Sequence, residues 1–274
     1  NPAESDLRTL EEVGREHSIR HSFFLPYKDG RDSYLVKFLS DRFIECDFNI
    51  EIDLKSLQLS FGKMEFTDLL DLEPLRPSAL QEPRFEVLFD PFVRFFNPVQ
   101  TQLFWPLYHS DENIIVGAPT GSGKTVLAEL TILRLMRTRP GMKAVYVAPY
   151  KALVKERLKD WTVRFAELGK KVEELSGDYS PDTSALRAAD LLLTTPEKWD
   201  GVTRGWEDKS FVSCVGLVVF DEIHLLGQDR GPTIEVIVAR MNYIARKTGR
   251  NVRLVGLSTA VANGDDIASW FGVK

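Results

Sequence analysis

The octapeptide Ala118-Pro119-Thr120-Gly121-Ser122-Gly123-Lys124-Thr125 directly follows the apolar run Ile114 to Val116 and opens a segment of helical spacing. A strand, a small-residue loop and a helix in that order form a phosphate-binding loop. Thr120, Gly121, Ser122 and Gly123 let successive backbone N–H groups wrap an anion, and the helix N-terminus adds a favourable dipole. Lys124 would neutralise β- and γ-phosphates, and Thr125 would set its hydroxyl on Mg²⁺. Ala118 stands where the general pattern has glycine. Taken alone, the octapeptide also suits an ordinary glycine-rich turn.

Similar apolar runs recur at Ala144 to Val147, Leu191 to Leu193, Val215 to Phe220 and Val252 to Leu257. Strands this continuously apolar are buried on both faces, which predicts an α/β fold with a parallel sheet flanked by helices. The segments between them carry helical stripes, Leu158-Trp161-Phe165-Leu168 in one and Ile234-Ile237-Met241-Ile244 in another. Asn97 followed by Pro98 supplies an N-cap and first-turn pair for a helix reaching about Tyr108. Trp161, Trp199 and Trp206 read as packing anchors in preference to base-stacking platforms.

Ahead of this region the period is two. From Ile44 to Leu54 apolar and polar residues alternate without a break, which predicts a half-buried antiparallel strand. Tyr34 to Leu39 is a second candidate and Phe23 to Leu25 a third. Three strands rarely make a stable sheet, so this reads as the end of a β-sandwich. Between Gly62 and Pro91, the prolines 74, 77, 83 and 91 break the pattern and leave a linker with one short helix near Glu82 to Phe89. The expected division is a partial β-sandwich over 1–62, a linker over 63–95 and an α/β domain over 96–274.

Lys and Arg number 35 against 40 Asp and Glu, which argues against coating nucleic acid through bulk charge and leaves room for a local basic groove. Cys46 and Cys214 have no second Cys or His beside them, so neither a disulfide framework nor a zinc site is expected, and a reducing compartment is the default. His17 and His21 share a helix face without accompanying carboxylates, and no metal role is assigned to them. No run of about 18 apolar residues is present to span a membrane. Asn1 to Arg20 lack the apolar run of a secretory signal, and the absence of an initiator Met suggests a fragment.

Asp221-Glu222-Ile223-His224 comes where the run Val215 to Phe220 ends. Carboxylates at the C-terminal edge of a parallel strand face the crevice where such sheets bind ligands. Asp221 would hold Mg²⁺, usually through water, and Glu222 would orient and deprotonate an attacking water. Two acids after a strand also make a helix N-cap. The loop around Lys124 favours the catalytic reading.

In this order the residues resemble DExH-box superfamily-two helicases. The loop from Ala118, the Asp221-to-His224 box and Ser258-Thr259-Ala260 look like motifs I, II and III. Phe96-Asn97-Pro98-Val99-Gln100 looks like the adenine-reading Q motif. Ala148-Pro149-Tyr150-Lys151-Ala152-Leu153 and Thr194-Thr195-Pro196-Glu197-Lys198-Trp199 look like motifs Ia and Ib, although Tyr150 stands where leucine is usual. Leu69 to Leu75 with Ser78-Ala79-Leu80, Glu197 to Val202, Gly177-Asp178 with Pro181-Asp182, and Asp229-Arg230-Gly231-Pro232 are similar to the tandem-cassette branch, closest to its C-terminal cassettes.

The resemblance implies a RecA-like domain of the P-loop NTPase class, preceded by the end of an immunoglobulin-like β domain. It implies ATP and Mg²⁺ as ligands. Gln100 would read adenine; Thr120, Gly121, Ser122, Gly123, Lys124 and Thr125 would hold phosphates; Thr125 and Asp221 would hold the metal. Lys124, Asp221, Glu222 and His224 would be catalytic, with His224, Ser258 and Thr259 coupling the nucleotide site to the strand-binding face. Pro149, Lys151, Thr195, Pro196 and Lys198 would touch a nucleic-acid backbone, contacts that carry no sequence information. The implied activity is ATP-dependent 3′-to-5′ unwinding of DNA or RNA, or remodelling of nucleic-acid–protein complexes, in alkylation-damage repair or ribosome rescue. The implied partners are single-stranded or partly duplex nucleic acid, the rest of the helicase chain and subunits of a larger complex, in nucleus and cytosol. The alternative is a catalytically silent cassette serving as a protein scaffold. In the family a second RecA-like domain supplies the arginine fingers, and the chain after Ala260 is too short to hold one. This piece alone is therefore expected to bind nucleotide weakly and not to unwind.

Overall fold

The computed structural model describes residues 33–39, 48–53, 68–89, 92–177, 181–224, 231–259 and 264–273. The chain separates into two compact units, Asn1–Glu65 and Phe66–Lys274. In the first, β1 (Ser33–Phe38) and β2 (Phe48–Asp53) pair antiparallel, with Tyr34 opposite Ile52 and Val36 opposite Ile50. This register sets the apolar half of each alternation on one face, where cross-strand neighbours reinforce each other. The strand expected at 23–25 and the outer parts of the 44–54 run lie outside the described residues.

The second unit opens with a 3₁₀ turn at Pro77–Leu80, then α1 (Pro83–Glu86) and α2 (Pro98–Tyr108). There follow β3 (Ile114–Gly117), α3 (Lys124–Thr138), β4 (Lys143–Val147), α4 (Lys151–Ala166) and β5 (Val172–Leu175). Next come α5 (Thr183–Ala188), β6 (Leu191–Thr194), α6 (Pro196–Arg204) and β7 (Val215–Phe220). The last described elements are α7 (Gly231–Thr248), β8 (Arg253–Ser258) and α8 (Gly264–Phe271). The six strands form one parallel sheet in the order β3-β8-β7-β4-β6-β5.

Successive residues of the central strands enter opposite layers, which is why the middles of these strands are apolar on both faces. Ala144, Tyr146 and Ala148 of the β4 stretch pack with Leu193, Val219 and Leu257 under α2, α3 and α4. Val145 and Val147 pack with Leu192, Val218 and Leu254 under α6, α7 and α8. Trp161 and Trp199 are fully buried, one in each layer, as anchors of the core. No helix among the described residues is long and apolar enough to cross a membrane.

Two features differ from the expectation. The 63–95 stretch reads as a linker with one short helix near Glu82 to Phe89; the helix is present at Pro83–Glu86, but this later part belongs to the core. Leu80, Phe85, Leu88 and Phe89 are buried against Phe96, Phe104 and Leu107, and Phe89 meets Phe96 edge to face at 5.4 Å. Pro77 and Pro83 sit in the first turns of short helices, where proline has no N–H bond to lose. The second difference is β5, a Val-Glu-Glu-Leu strand at the sheet edge that offers no apolar run to detect.

Buried charge ties the layers together. Arg253 of β8, 1% exposed, donates to the carbonyls of Pro106 (2.8 Å), Leu107 (2.9 Å) and Glu112 (2.8 Å). It thereby satisfies carbonyls at the end of α2 that have no helical partner. Burial pushes its pKa down to about 10, which leaves it charged at neutral pH. Glu129 of α3 accepts from Trp161 Nε1 (2.8 Å) and Arg164 (2.6 Å), and Arg164 also reaches Leu88 O at 2.9 Å. The phosphate-loop helix, α4 and the 80–89 segment are locked to one another by that ion pair.

Candidate nucleotide and nucleic-acid site

The strand β3 delivers the chain into the small-residue loop, and Ala118 N donates to Ser258 O at 2.9 Å, continuing the β3–β8 pairing past Gly117. Gly121 (φ +83°) and Gly123 (φ +78°) adopt the left-handed conformation that side-chain-bearing residues resist. A Cβ on Gly123 would also collide with Gln100 Nε2. Lys124 opens α3 and folds back over the loop, donating to Ala118 O (3.0 Å) and Pro119 O (3.4 Å). The hydroxyl of Ser122 is buried without a hydrogen-bond partner.

The Q-motif residues brace this loop from behind. Asn97 and Gln100 form a reciprocal capping box at the start of α2, each side chain accepting from the other's backbone N–H. Asn97 Nδ2 donates to Ser122 O (2.8 Å) and Gln100 Nε2 to Gly123 O (3.3 Å). Both ends of the Gln100 amide are therefore engaged within the chain, and the side chain is 5% exposed. The second N–H and the second lone pair of the Gln100 amide remain to read an adenine edge.

Opposite the loop stands the acidic box at the end of β7. Asp221 N donates to Val147 O (2.9 Å), which aligns the ends of β7 and β4. Tyr146 Oη donates to Asp221 Oδ2 at 2.5 Å, and Glu222 N donates to Asp221 Oδ1 at 3.0 Å. Burial, reinforced by the Asp221 charge, raises the Tyr146 phenol well above its usual range, so it remains a proton donor. Glu222 itself has φ +54°, a strained backbone for a residue with a side chain. Its Oε2 is buried without a hydrogen bond, with His224 Nδ1 at 3.3 Å. The same His224 Nδ1 lies 3.2 Å from Thr259 Oγ1 and 3.5 Å from Ser258 Oγ.

Thr120, Gly121, Gly123, Lys124 and Thr125 line one hollow with Asp221 and Glu222. Sequence reasoning named all of these and missed three further walls, Tyr146, Leu153 and Arg157. Tyr146 was legible only as an apolar position of β4. Arg157 follows Leu153 by one helical turn on α4, and Leu153 also lines the hollow. A hydroxyl and a carboxylate facing one space are hard oxygen donors of the kind Mg²⁺ takes alongside phosphate oxygens, so Thr125 and Asp221 fit that ion. The orphaned Glu222 Oε2 fits a hydrogen bond from a water in the hollow.

The residues expected to touch nucleic acid come together at the C-terminal ends of β4 and β6, on the same edge of the sheet. Ala148 N donates to Thr194 O at 2.9 Å, which brings Pro149 beside Thr195. Lys151 is exposed and Lys198 half-buried, whereas Pro149, Thr195 and Pro196 are buried. Thr195 is the N-cap residue of α6 and makes no side-chain cap bond. Contact from these three positions would run through the backbone more than the side chains.

Comparison with known proteins gives the same class. Residues 97–267 match the family model described as DEAD/DEAH box helicase. The chain is 52% identical over 242 residues, 88% of its length and 11% of the relative's, to activating signal cointegrator 1 complex subunit 3 of Gallus gallus. It is 46% identical over 265 residues, 96% of its length and 13% of the relative's, to the RQC trigger complex helicase SLH1 of Saccharomyces cerevisiae. The chain thus spans about a tenth of the length of these relatives. The resemblance read from the motifs is borne out at this level. Among solved structures, the DUF1998 helicase MrfA bound to DNA matches with a TM-score of 0.63 at 22% identity, covering 74% of this chain and 30% of that one. That likeness shows a shared fold.

Proposed function

The chain belongs to the DEAD/DEAH box helicase family, and on that premise we propose that it is the ATP-binding part of a nucleic-acid motor that moves 3′ to 5′. The observation that carries this reading is convergence: the Lys124 loop, the Asp221-Glu222 pair and the His224–Thr259 contact meet at the ends of adjacent strands. Lys124 and the loop N–H groups would bind the phosphates, and Glu222 would orient and deprotonate the attacking water. Mg²⁺, held by Thr125 and Asp221, would neutralise charge on the β- and γ-phosphates. His224, touching both Glu222 and Thr259, would pass the state of the nucleotide to the strand-binding side. Gln100 would read adenine through the donor and acceptor capacity that its bonds to Asn97 and Gly123 leave over.

Lys151 and the starts of α4 and α6 would meet the phosphate backbone, so strandedness would matter more than base order. One relative is a helicase of an RQC trigger complex and another a subunit of a cointegrator complex. We extend from these a role in ribosome rescue or alkylation-damage repair, inside a multi-subunit assembly of nucleus and cytosol. The test is the ATPase rate of the full-length protein with and without single-stranded RNA or DNA, beside Glu222→Gln. Loss of the general base is expected to lower the stimulated rate by about a hundredfold. An unchanged rate overturns the motor reading and leaves a nucleotide-holding scaffold.

A further inference from the structure

Among the described residues, Arg157 is the one arginine lining the hollow described above. Its Nη1 donates to Thr125 Oγ1 at 3.3 Å, and its side chain is only 20% exposed. The other cation there, Lys124, is turned onto the loop carbonyls of Ala118 and Pro119. Arg157 also pairs with Glu156, whose side chain is 60% exposed. A pair so open to water holds a guanidinium weakly. The two acids Asp221 and Glu222 face the same space, so without Arg157 the lining would set one cation against two anions.

We propose that Arg157 is a second phosphate-binding cation, supplied by α4, which grips the terminal phosphate of a nucleoside triphosphate. The proposal rests on the nucleotide-site reading above and adds a residue that neither the loop nor the acidic box contains. Thr125 Oγ1 cannot serve a guanidinium and a divalent cation together at close range, because the two positive charges repel. With Mg²⁺ held at Thr125, the long Arg157 side chain would turn away from that hydroxyl, and a phosphate bound in the hollow would offer the guanidinium a doubly charged partner that the water-exposed Glu156 does not match. The planar fork of arginine suits paired phosphate oxygens, where lysine offers a single point charge. With a diphosphate the fork has no γ-phosphate to reach.

Equilibrium titrations of the full-length protein with fluorescent mant-ADP and with mant-AMPPNP, both with Mg²⁺, test this. Arg157→Ala is expected to weaken the triphosphate analogue by about tenfold and mant-ADP by less than about twofold, with Arg157→Lys recovering part of the loss. Arg157→Gln keeps most of the methylene packing and serves if the alanine variant is poorly folded. Equal losses for both nucleotides, or no loss for either, overturn the proposal. Lys124→Ala separates the two levels: if it binds both nucleotides as tightly as the unmodified protein, the phosphate-site reading itself fails.

Discussion

Tyr146 shows how one buried hydroxyl can set the direction of a carboxylate. Asp221 has its two oxygens held separately, Oδ2 by Tyr146 and Oδ1 by Glu222 N, so its plane is fixed before any metal arrives. A hydrogen bond to a charged group is worth about 1.5–3 kcal/mol, and its loss leaves Asp221 free to rotate. Tyr146→Phe is therefore expected to lower kcat for ATP hydrolysis by about tenfold while KM changes less. Steady-state kinetics over a range of Mg²⁺ concentrations checks it, with the loss easing at high Mg²⁺. A kcat within error of the unmodified protein would remove Tyr146 from the site. Residue-level legibility was uneven for a physical reason. Lys124, Asp221 and Glu222 stand next to strand ends in sequence, so their neighbours announce them. Tyr146 meets Asp221 across 75 positions, and nothing local to either residue encodes that meeting.

Helix α2 was legible as an element because its start carries its own instructions: Asn97 caps, Pro98 fixes φ, and Gln100 closes the box. Its tie to the loop was not, since Asn97 Nδ2 reaches Ser122 O from 25 positions away. Asn97→Ala should cost about 1 kcal/mol through the cap alone. It should also weaken nucleotide binding by releasing the loop carbonyl. Thermal unfolding and mant-ADP titration read the two effects separately, and a stability loss with unchanged binding would confine Asn97 to capping. A second junction pins α6 to α7. Asp200, 11% exposed, accepts from Arg240 Nη1 and Arg204 Nη2, each at 2.6 Å, and Arg240 also donates to Thr203 Oγ1 at 2.9 Å. Burial works against the Asp200 carboxylate, but Arg204 and Arg240 outweigh it and hold its pKa below the ordinary value. A depressed folded pKa stabilises above the unfolded value near ~3.9 and loses that contribution as pH falls through the folded one. Asp200→Asn should thus lose about 2 kcal/mol at neutral pH, and its deficit should shrink below about pH 4. Denaturant unfolding at several pH values measures it; a deficit independent of pH would mean the carboxylate charge is not what holds the helices.

At the scale of the molecule, the second compact unit begins at Phe66, well before the phosphate loop. The four buried side chains Leu80, Phe85, Leu88 and Phe89 belong to its core. Burying each is worth about 1.5–3 kcal/mol, together comparable with the roughly 5–15 kcal/mol that holds a whole domain. A chain starting at residue 66 is expected to unfold cooperatively, while one starting at residue 96 should give no cooperative melt by circular dichroism. Equal melts would show the 66–95 segment to be dispensable. The amino-acid sequence alone was enough to locate the candidate phosphate loop and to assign the sheet class. Phosphate binding demands small residues and a lysine in one contiguous loop, and a strand buried on both faces must be continuously apolar, so both leave local marks. Three features emerge only from the folded chain: a proline-rich stretch packs as core, Val172–Leu175 joins the sheet as an edge strand, and Tyr146 and Arg157 line the hollow beside Lys124. Each of these depends on partners distant in sequence, and a proline, an edge glutamate or a helical arginine has the same local pattern whether or not such a partner is there.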